Sequence, residues 1–287
     1  MSIVTIMEST PNRVRSLVRL AACLGGATRE SLRSHMMPTL AEGDSGQFTN
    51  LLRETVRLGL LTENTEGEFN LAAGIAAREV DKDDWFVAFV DAALIRSTVE
   101  NSENKSFTYV LAWLLGQLSG TAIHWKSDQH LNMQRQMKGT ETYELTNDDR
   151  FAMVCYWARF LGFVTQLDLG GQRVAVPDPT DAIARYLPDV FAQDRHLSLS
   201  SFLSRLSNLC PVLEGGQVRN EIEARLHTQR PPAEISAATS LALWRLEKRQ
   251  RIRLEMNSDA NAWQMTTSTA AAGIVAARRV SDVEFKG

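Results

Sequence analysis

A five-residue pattern that ends a helix occurs twice in this chain and restricts its fold more than any other feature. LGLLT (residues 58–62) and LGFVT (residues 161–165) each follow an amphipathic helical pattern and precede a turn that contains glycine. Each turn is followed by a strand-like segment, FNL in the first copy and RVAV in the second. A glycine can end a helix, and the residues after it can then form a hairpin that packs back on that helix. Two such successions predict repeated architecture.

The first 75 residues contain the whole unit around the first copy. Apolar residues recur at helical spacing in NRVRSLVRLAACLGG, in TRESLRSHMM and in SGQFTNLLRETVRL, and the period changes at Gly59. Thr28 is placed to cap the second helix. LLTENTEGEFNLA then predicts a strand, a turn and a second strand. Three helices followed by a hairpin is the order of a winged helix-turn-helix, which this segment resembles.

Two further units are predicted downstream. DDWFVAFVDAALIRS and SFTYVLAWLLGQLSG provide early helices of the second unit, and SDQHLNMQRQMKGTETYE is a loop or an exposed turn of helix. The third has helices in SLSSFLSRLSNL, capped by Ser198 or Ser200, in GGQVRNEIEARLH and in AEISAATSLALWRLEKRQ, with RIRLEM and AWQMT as a hairpin around NSDAN. We predict a mainly α fold with short β-hairpins, made of tandem winged helix-turn-helix units that pack together. Their boundaries are 1–78 for unit one, 79–192 for a helical segment and unit two, and 193–287 for unit three.

The cysteines and the apolar segments indicate the compartment. Cys23, Cys155 and Cys210 are odd in number, widely separated and set in apolar helical contexts, and no CxxC pair occurs. This usage is typical of buried thiols in a reducing cytoplasm rather than of a disulfide framework or a zinc finger. No apolar run has the length of a membrane span, and the N-terminal pattern is not that of a secretion signal. We therefore expect a cytoplasmic protein without membrane contact.

Recognisable catalytic motifs are missing from the sequence. His124, Asp128 and His130 come nearest to a metal cluster, but no further strong ligand is spaced to join them, and a solvated loop explains them. Asp83-Asp84 and Asp148-Asp149 each precede an apolar helix, where acids complement the helix dipole. No phosphate-binding glycine loop and no nucleophile elbow occurs. We predict a non-enzymatic protein without metal or cofactor; an enzyme with a site assembled from distant residues is an alternative.

Positive charge is concentrated in the C-terminal third of a chain whose formal net charge is −3. Residues 195–287 hold 13 Lys and Arg against 9 Asp and Glu, whereas residues 1–194 hold 18 against 25. Affinity for nucleic acid comes mainly from cations on phosphates, so the third unit is the part that favours DNA. Unit two begins its third helix with two acids, which fits packing or contact with a protein.

One short stretch of unit three carries the strongest signal for DNA. Five basic residues lie within nine positions: Arg245, Lys248, Arg249, Arg251 and Arg253. The first three share a helix face, and the last two alternate with apolar residues and so point to one side of a strand. Cations near a helix C-terminus are also favourable without any ligand. Phosphate contact and a solvated helix end therefore both remain open.

The third helix of unit one is a second candidate face for DNA. It presents four side chains at helical spacing: Gln47, Asn50, Arg53 and Arg57. Gln and Asn can read adenine, and Arg can read guanine or hold a phosphate. The hairpin beside this helix carries Glu63, Glu66 and Glu68, which repel a DNA backbone. We favour a solvated face in which Glu54 balances Arg53 or Arg57.

The segment ESTPNRVRSLVRLAACLGGATRESLRSHMMP resembles the start of the DpdG-type accessory proteins found with bacterial 7-deazaguanine DNA modification and restriction genes. This resemblance covers about the first unit. It implies a role in antiphage DNA restriction beside ATPase or helicase partners. We therefore predict a winged-helix accessory subunit of a bacterial DNA-processing or defence complex that binds protein partners, with duplex DNA as a further candidate ligand. A stand-alone transcriptional regulator that binds a palindromic duplex site as a dimer is the alternative.

Overall fold

The described part of the chain contains both helices and short strands, from the N-terminal region to the last residues. The computed structural model describes residue 3 and the ranges 9–37, 45–99, 104–117, 123–266 and 278–287. About 51% of the described residues are helical, and they form four sheets of three strands each. The predicted class, mainly α with short β elements, is confirmed.

Unit one has the order helix, strand, helix, helix, strand, strand. Its elements are α1 (Pro11–Leu24), β1 (Ala27–Thr28), α2 (Arg29–Met36), α3 (Ser45–Arg57), β2 (Leu61–Glu63) and β3 (Glu68–Leu71). β3 lies in the middle of the sheet and is antiparallel to both neighbours. The Thr28 side chain accepts a hydrogen bond from the backbone N–H of Ser31 at 3.3 Å, so Thr28 caps α2 as the sequence predicts.

Unit two has the same order after a helical connection. The connection contains α4 (Ala77–Val80), α5 (Asp83–Leu94) and a short 3₁₀ helix (Arg96–Val99). The unit then contains α6 (Lys105–Leu115), β4 (Ile123–His124), α7 (Gln129–Gln136), α8 (Asp148–Phe160), β5 (Val164–Leu169) and β6 (Gln172–Pro177). The last strand is again central, with β4 and β5 on its two sides. Asp148 and Asp149 lie in the first turn of α8, where Asn147 is the cap.

The C-terminal part has a longer list of elements. They are α9 (Thr180–Val190), β7 (His196–Ser198), α10 (Leu199–Leu209), α11 (Gln217–Arg225), β8 (Glu234–Ile235), α12 (Ala237–Lys248), β9 (Ile252–Glu255), β10 (Trp263–Met265), β11 (Arg279–Val280) and β12 (Asp282–Phe285). Of the two predicted cap residues, Ser198 caps α10 by accepting from the backbone N–H of Ser201 at 3.2 Å. α9 contacts α10 and α12, so the predicted boundary at residue 193 separates α9 from helices on which it packs.

The hairpin predicted around NSDAN is wrong. β9 pairs with β12, with Leu254 opposite Val283, whereas β10 pairs with β11 and, in parallel, with β8. Ile252, Leu254 and Val283 are all buried, so β9 and β12 present matching apolar faces to the core. The order of this sheet is β7-β12-β9, and its last strand is central as in units one and two.

A continuous apolar core runs through the described part of all three units. Trp113, Trp157 and Tyr186 are among its largest fully buried side chains. Cys155 and Cys210 are buried as expected, but Cys23 is exposed because it lies on the outer face of α1. Among the described residues, no helix combines the length and the apolar character that crossing a bilayer requires.

Candidate nucleic-acid interface

The five basic residues of unit three do not form one surface. α12 packs on the core through Leu243 and Leu246, which are fully buried. Arg245 and Arg249 both reach acidic residues at the start of α9, and Lys248 is exposed. Arg251 precedes β9, and Arg253 lies within it. The shared helix face that the sequence predicts is therefore divided between an internal contact and the solvent.

Arg245 is held in an internal ion pair. Its guanidinium donates to the carboxylate of Asp178, whose side chain is only 3% exposed. Asp178 also accepts from the Thr165 hydroxyl at 3.0 Å and from the backbone N–H of Thr180 at 3.3 Å. Removing the cation from this buried carboxylate would leave an uncompensated charge, which is strongly destabilising. Arg245 thus links α12 to Asp178, the residue that follows β6.

Arg249 forms a pair of a different kind. Its Nη1 lies 2.6 Å from Oδ1 of Asp181, and the two side chains are 51% and 70% exposed. An exposed pair contributes about 0–1 kcal/mol, because water and salt screen it. Arg249 can therefore exchange Asp181 for a phosphate at small cost.

Arg251 and Arg253, just before β9 and within it, lie among both acidic and basic groups. Arg251 donates through Nε to the backbone carbonyl of Gly287 at 3.0 Å. Arg253 Nε lies 3.2 Å from Oε1 of Glu255, and Glu284 is directly opposite Arg253 on β12. Arg253 is exposed while its two neighbours in β9 are buried, so the predicted alternation is present. The adjacent carboxylates weaken the positive field of this face.

Lys248 contacts an aromatic ring. Its Nζ lies 5.7 Å from the ring centroid of Trp244, a cation–π distance. Trp244 is 48% exposed, which is unusual for so large an apolar side chain. Trp244 is not among the site residues predicted from the sequence. The sequence feature that indicates its exposure is its position one turn before Lys248, on the face of α12 away from the core.

In unit one, the candidate face is largely occupied by internal contacts. Arg57 donates through Nε to Oε1 of Glu54 at 2.9 Å and through Nη1 to the side-chain oxygen of Asn104 at 3.0 Å. Glu54 is 1% exposed, so this pair is buried. Arg53 is exposed and donates to Asn50 at 2.9 Å, and Gln47 is partly buried. Glu54 thus balances Arg57, but through a buried pair and not on the solvated face that the sequence favours. A DNA-reading role for Gln47, Asn50, Arg53 and Arg57 stays a prediction.

The suggested metal cluster has a different composition in the structure. Oxygen or nitrogen atoms of Asp128, His130 and Asp148 lie within 4.8 Å of one another, whereas His124 is not part of this group. The backbone N–H of Asp128 donates to Oδ1 of Asp148 at 2.9 Å. Asp148 therefore anchors the loop before α7 to the first turn of α8.

A comparison with protein families identifies the class of this chain. The sequence matches the model of the DpdG-like family over residues 1–260. The protein therefore belongs to the DpdG-like family. The resemblance read from the first unit is confirmed and extends into unit three. No curated protein and no solved structure matches the chain.

Proposed function

We propose that this protein is a non-enzymatic, cytoplasmic accessory subunit of a bacterial DNA modification and restriction complex active in antiphage defence. Family membership over residues 1–260 is the observation that carries the proposal, because it suggests an accessory protein in a 7-deazaguanine modification system. An accessory subunit acts with other proteins, and an ATPase or helicase is the kind of partner that we infer. Duplex DNA is the second ligand that we propose.

We further propose that the chain is built of three winged helix-turn-helix units. The order helix, strand, helix, helix, strand, strand occurs in units one and two. It occurs again from α9 to β12, with α11 and β8 inserted before the last helix and with β10 and β11 inserted before the last strand. In the sheets β1-β3-β2, β4-β6-β5 and β7-β12-β9, the last strand lies between the other two, whereas the fourth described sheet, β11-β10-β8, contains the inserted strands of unit three. This agreement in order and pairing supports the winged-helix interpretation.

The hairpin of unit two is suited to contact with a protein partner. Leu167 and Leu169 of β5 are 43% and 52% exposed and lie two residues apart, so both point to the same side of the strand. Contiguous exposed apolar side chains mark sites of protein interaction, whereas affinity for DNA comes mainly from cations. We propose that this hairpin docks on the partner subunit.

DNA contact is proposed for the exposed cations of unit three only. Lys248, Arg249 and Arg253 are exposed and reach solvent from the end of α12 and from β9. Arg245 is excluded from this set because Asp178 holds it. In a winged helix that binds DNA, the third helix and the hairpin are the contacting elements. These three residues lie on the corresponding elements.

Co-expression tests the accessory role. We would express the tagged chain with the proteins encoded beside its gene and measure the mass and DNA-processing activity of the purified assembly. We expect a complex of fixed stoichiometry that loses activity when this chain is omitted. Leu167→Ser with Leu169→Ser should lower the yield of complex, and Leu131→Ser, at an exposed leucine of α7, should not. A homodimer that binds a palindromic duplex without partners would overturn the proposal and favour the regulator.

A further inference from the structure

A cavity of about 520 Å³ lies where unit two meets unit three. On one side it is lined by Gln117, after α6, and by Arg135 and Gln136 of α7. On the other side it is lined by Glu223 of α11 and by Arg230 in the segment that follows this helix. Sites for small molecules typically have volumes of about 300–1,000 Å³ and contain a few convergent polar groups. The cavity has the size and the lining of such a site.

Hydrogen bonds hold the walls of this cavity in place. The side-chain oxygen of Gln136 accepts from the indole N–H of Trp113 at 2.8 Å, and the Gln136 and Gln117 amides are bonded to each other at 3.1 Å. Across the junction, the backbone N–H of His227 donates to the carbonyl of Gln136 at 2.9 Å. The N–H of Lys138 donates to the Arg225 carbonyl at 2.7 Å. The cavity is therefore preformed.

Three carboxylates of the described residues lie at the cavity or beside it. Glu223 and the neighbouring Glu214 are paired with arginine, and Glu234 accepts from the Thr266 hydroxyl at 2.8 Å. Glu223 accepts from Nε of the buried Arg219 at 2.6 Å and from Nη2 of Arg230 at 3.0 Å. Arg230 also binds the buried Glu214. Burial alone would raise the pKa of Glu214, but the Arg219 and Arg230 guanidiniums outweigh burial and hold that pKa below its usual value. Glu214 is therefore ionised, and Glu214 and Glu223 are each matched to arginine.

Two arginines of the lining keep unused hydrogen-bond donors. Nη1 of Arg230 is buried and has no acceptor among the described residues. Arg135 is exposed, and no described acidic side chain pairs with it. A buried guanidinium N–H without an acceptor costs free energy, which an anionic ligand would recover. The planar guanidinium matches the geometry of phosphate and carboxylate oxygens.

We propose that this cavity binds a small organic anion, whose phosphate or carboxylate group accepts hydrogen bonds from Arg135 and Arg230. The Gln117 and Gln136 amides line the space for the rest of the molecule. Because the two sides of the cavity belong to different units, a bound anion would also join unit two to unit three. This inference goes beyond the accessory role and does not depend on DNA contact.

Calorimetric titration of the full chain at low salt tests the proposal, with inorganic phosphate, citrate and adenosine monophosphate as probes. We expect saturable binding of at least one probe and a loss of affinity of about tenfold or more in Arg135→Gln. Arg195→Gln is the matched control, because Arg195 is also exposed and has no acidic partner among the described residues. Its affinity should equal that of the wild type.

Arg230→Gln should also lose affinity, and its fold must be checked by circular dichroism because Arg230 binds the buried Glu214. The proposal is overturned if no probe binds at millimolar concentration, as expected for a gap filled only with water. It is also overturned if Arg135→Gln and Arg195→Gln weaken binding equally, since binding would then follow overall charge. DNA affinity of Arg135→Gln should match that of the wild type, which separates this test from that of the proposed function.

Discussion

Arginines that look alike in the sequence differ in how deeply their acidic partners are buried. Arg57 and Arg245 bind carboxylates that are nearly inaccessible to water, whereas Arg249 binds an exposed one. The Glu54–Arg57 pair is local, three residues apart on one helix, and is one of the two pairings that the sequence predicts for Glu54. The partner of Arg245 lies 67 residues away, so only the fold shows it. Burial of the partner therefore separates structural arginines from those available to a ligand.

Arg57→Gln is expected to destabilise the protein by about 3 kcal/mol, because it leaves the buried Glu54 without its cation. Arg53→Gln, four residues earlier on the exposed side of α3, should cost no more than about 0.5 kcal/mol. The free energies of unfolding from urea titrations provide the comparison. Equal losses in the two variants would show that burial of Glu54 does not matter.

Stability at alkaline pH is expected to depend on Tyr143. Burial, assisted by the charge of Glu141, raises the pKa of Tyr143 to about 12, against about 10 in an unfolded chain. A raised pKa in the folded state means that the contribution to stability is present below pH 10 and is lost as the pH rises towards 12.

The pH dependence of the urea midpoint between pH 9 and 12 checks this expectation. Tyr143→Phe should show a shallower fall than the wild type, because one titrating group is removed. A fall remains, since burial and Glu221 also raise the pKa of Tyr109. If the urea midpoints of the two proteins fell equally steeply with pH, Tyr143 would not contribute to the loss of stability.

At the scale of elements, the two copies of the helix-ending pattern, residues 58–62 and 161–165, have the same backbone conformation at glycine but different neighbours around it. Gly59 and Gly162 have φ angles of +74° and +77°, in the left-handed region that favours glycine. A Cβ at Gly59 would meet nothing within 4 Å, whereas one at Gly162 would lie 3.0 Å from the backbone nitrogen of Ala182. The sequence predicts both turns. It does not show that α9 begins beside Gly162 and not beside Gly59.

Gly59→Ala is expected to cost about 1 kcal/mol from its backbone conformation alone. Gly162→Ala should cost at least about 1 kcal/mol more, because its added methyl group collides with the first turn of α9. Thermal unfolding of the two variants measures the difference. If Gly59→Ala lost as much stability as Gly162→Ala, the close approach of α9 would be of no consequence.

The sheet of unit three shows where local sequence patterns fail. An alternating segment such as RIRLEM predicts a strand correctly, because its apolar residues recur with period two. The choice of partner depends on which other strand presents a matching face, and β12 does so from beyond β10 and β11. The nearest strand in sequence was therefore the wrong partner, although the strand itself was predicted.

At the scale of the whole molecule, the three helices and the hairpin of unit one and the last helix and hairpin of unit two could be read from the sequence, because each has its own periodicity and turn. The short strands β1 and β4 were not predicted, α5 lies in the connection rather than in unit two, and the segment of α7 was predicted as a loop or an exposed turn of helix. The contacts between units could not be read, since they depend on side chains far apart in the chain. The buried Asp91, for example, accepts from the Tyr186 hydroxyl at 2.6 Å and so joins α5 to α9. The cavity between units two and three has the same origin.

The central claim concerning DNA is that unit three contacts it through exposed cations and not through its whole basic stretch. The most direct test is a salt titration of binding to random duplex DNA. The test variant changes Lys248, Arg249 and Arg253 to Gln, and the control changes Arg78, Lys126 and Lys138, exposed cations of other units, to Gln. Both variants remove the same charge.

The wild type should bind at low salt and weaken steeply as salt rises. Each lost phosphate contact lowers the slope of log affinity against log salt by about 0.9, so the test variant should lose about 3 units of slope and the control almost none. The claim is contradicted if the wild type does not bind at low salt, or if both variants lose the same slope.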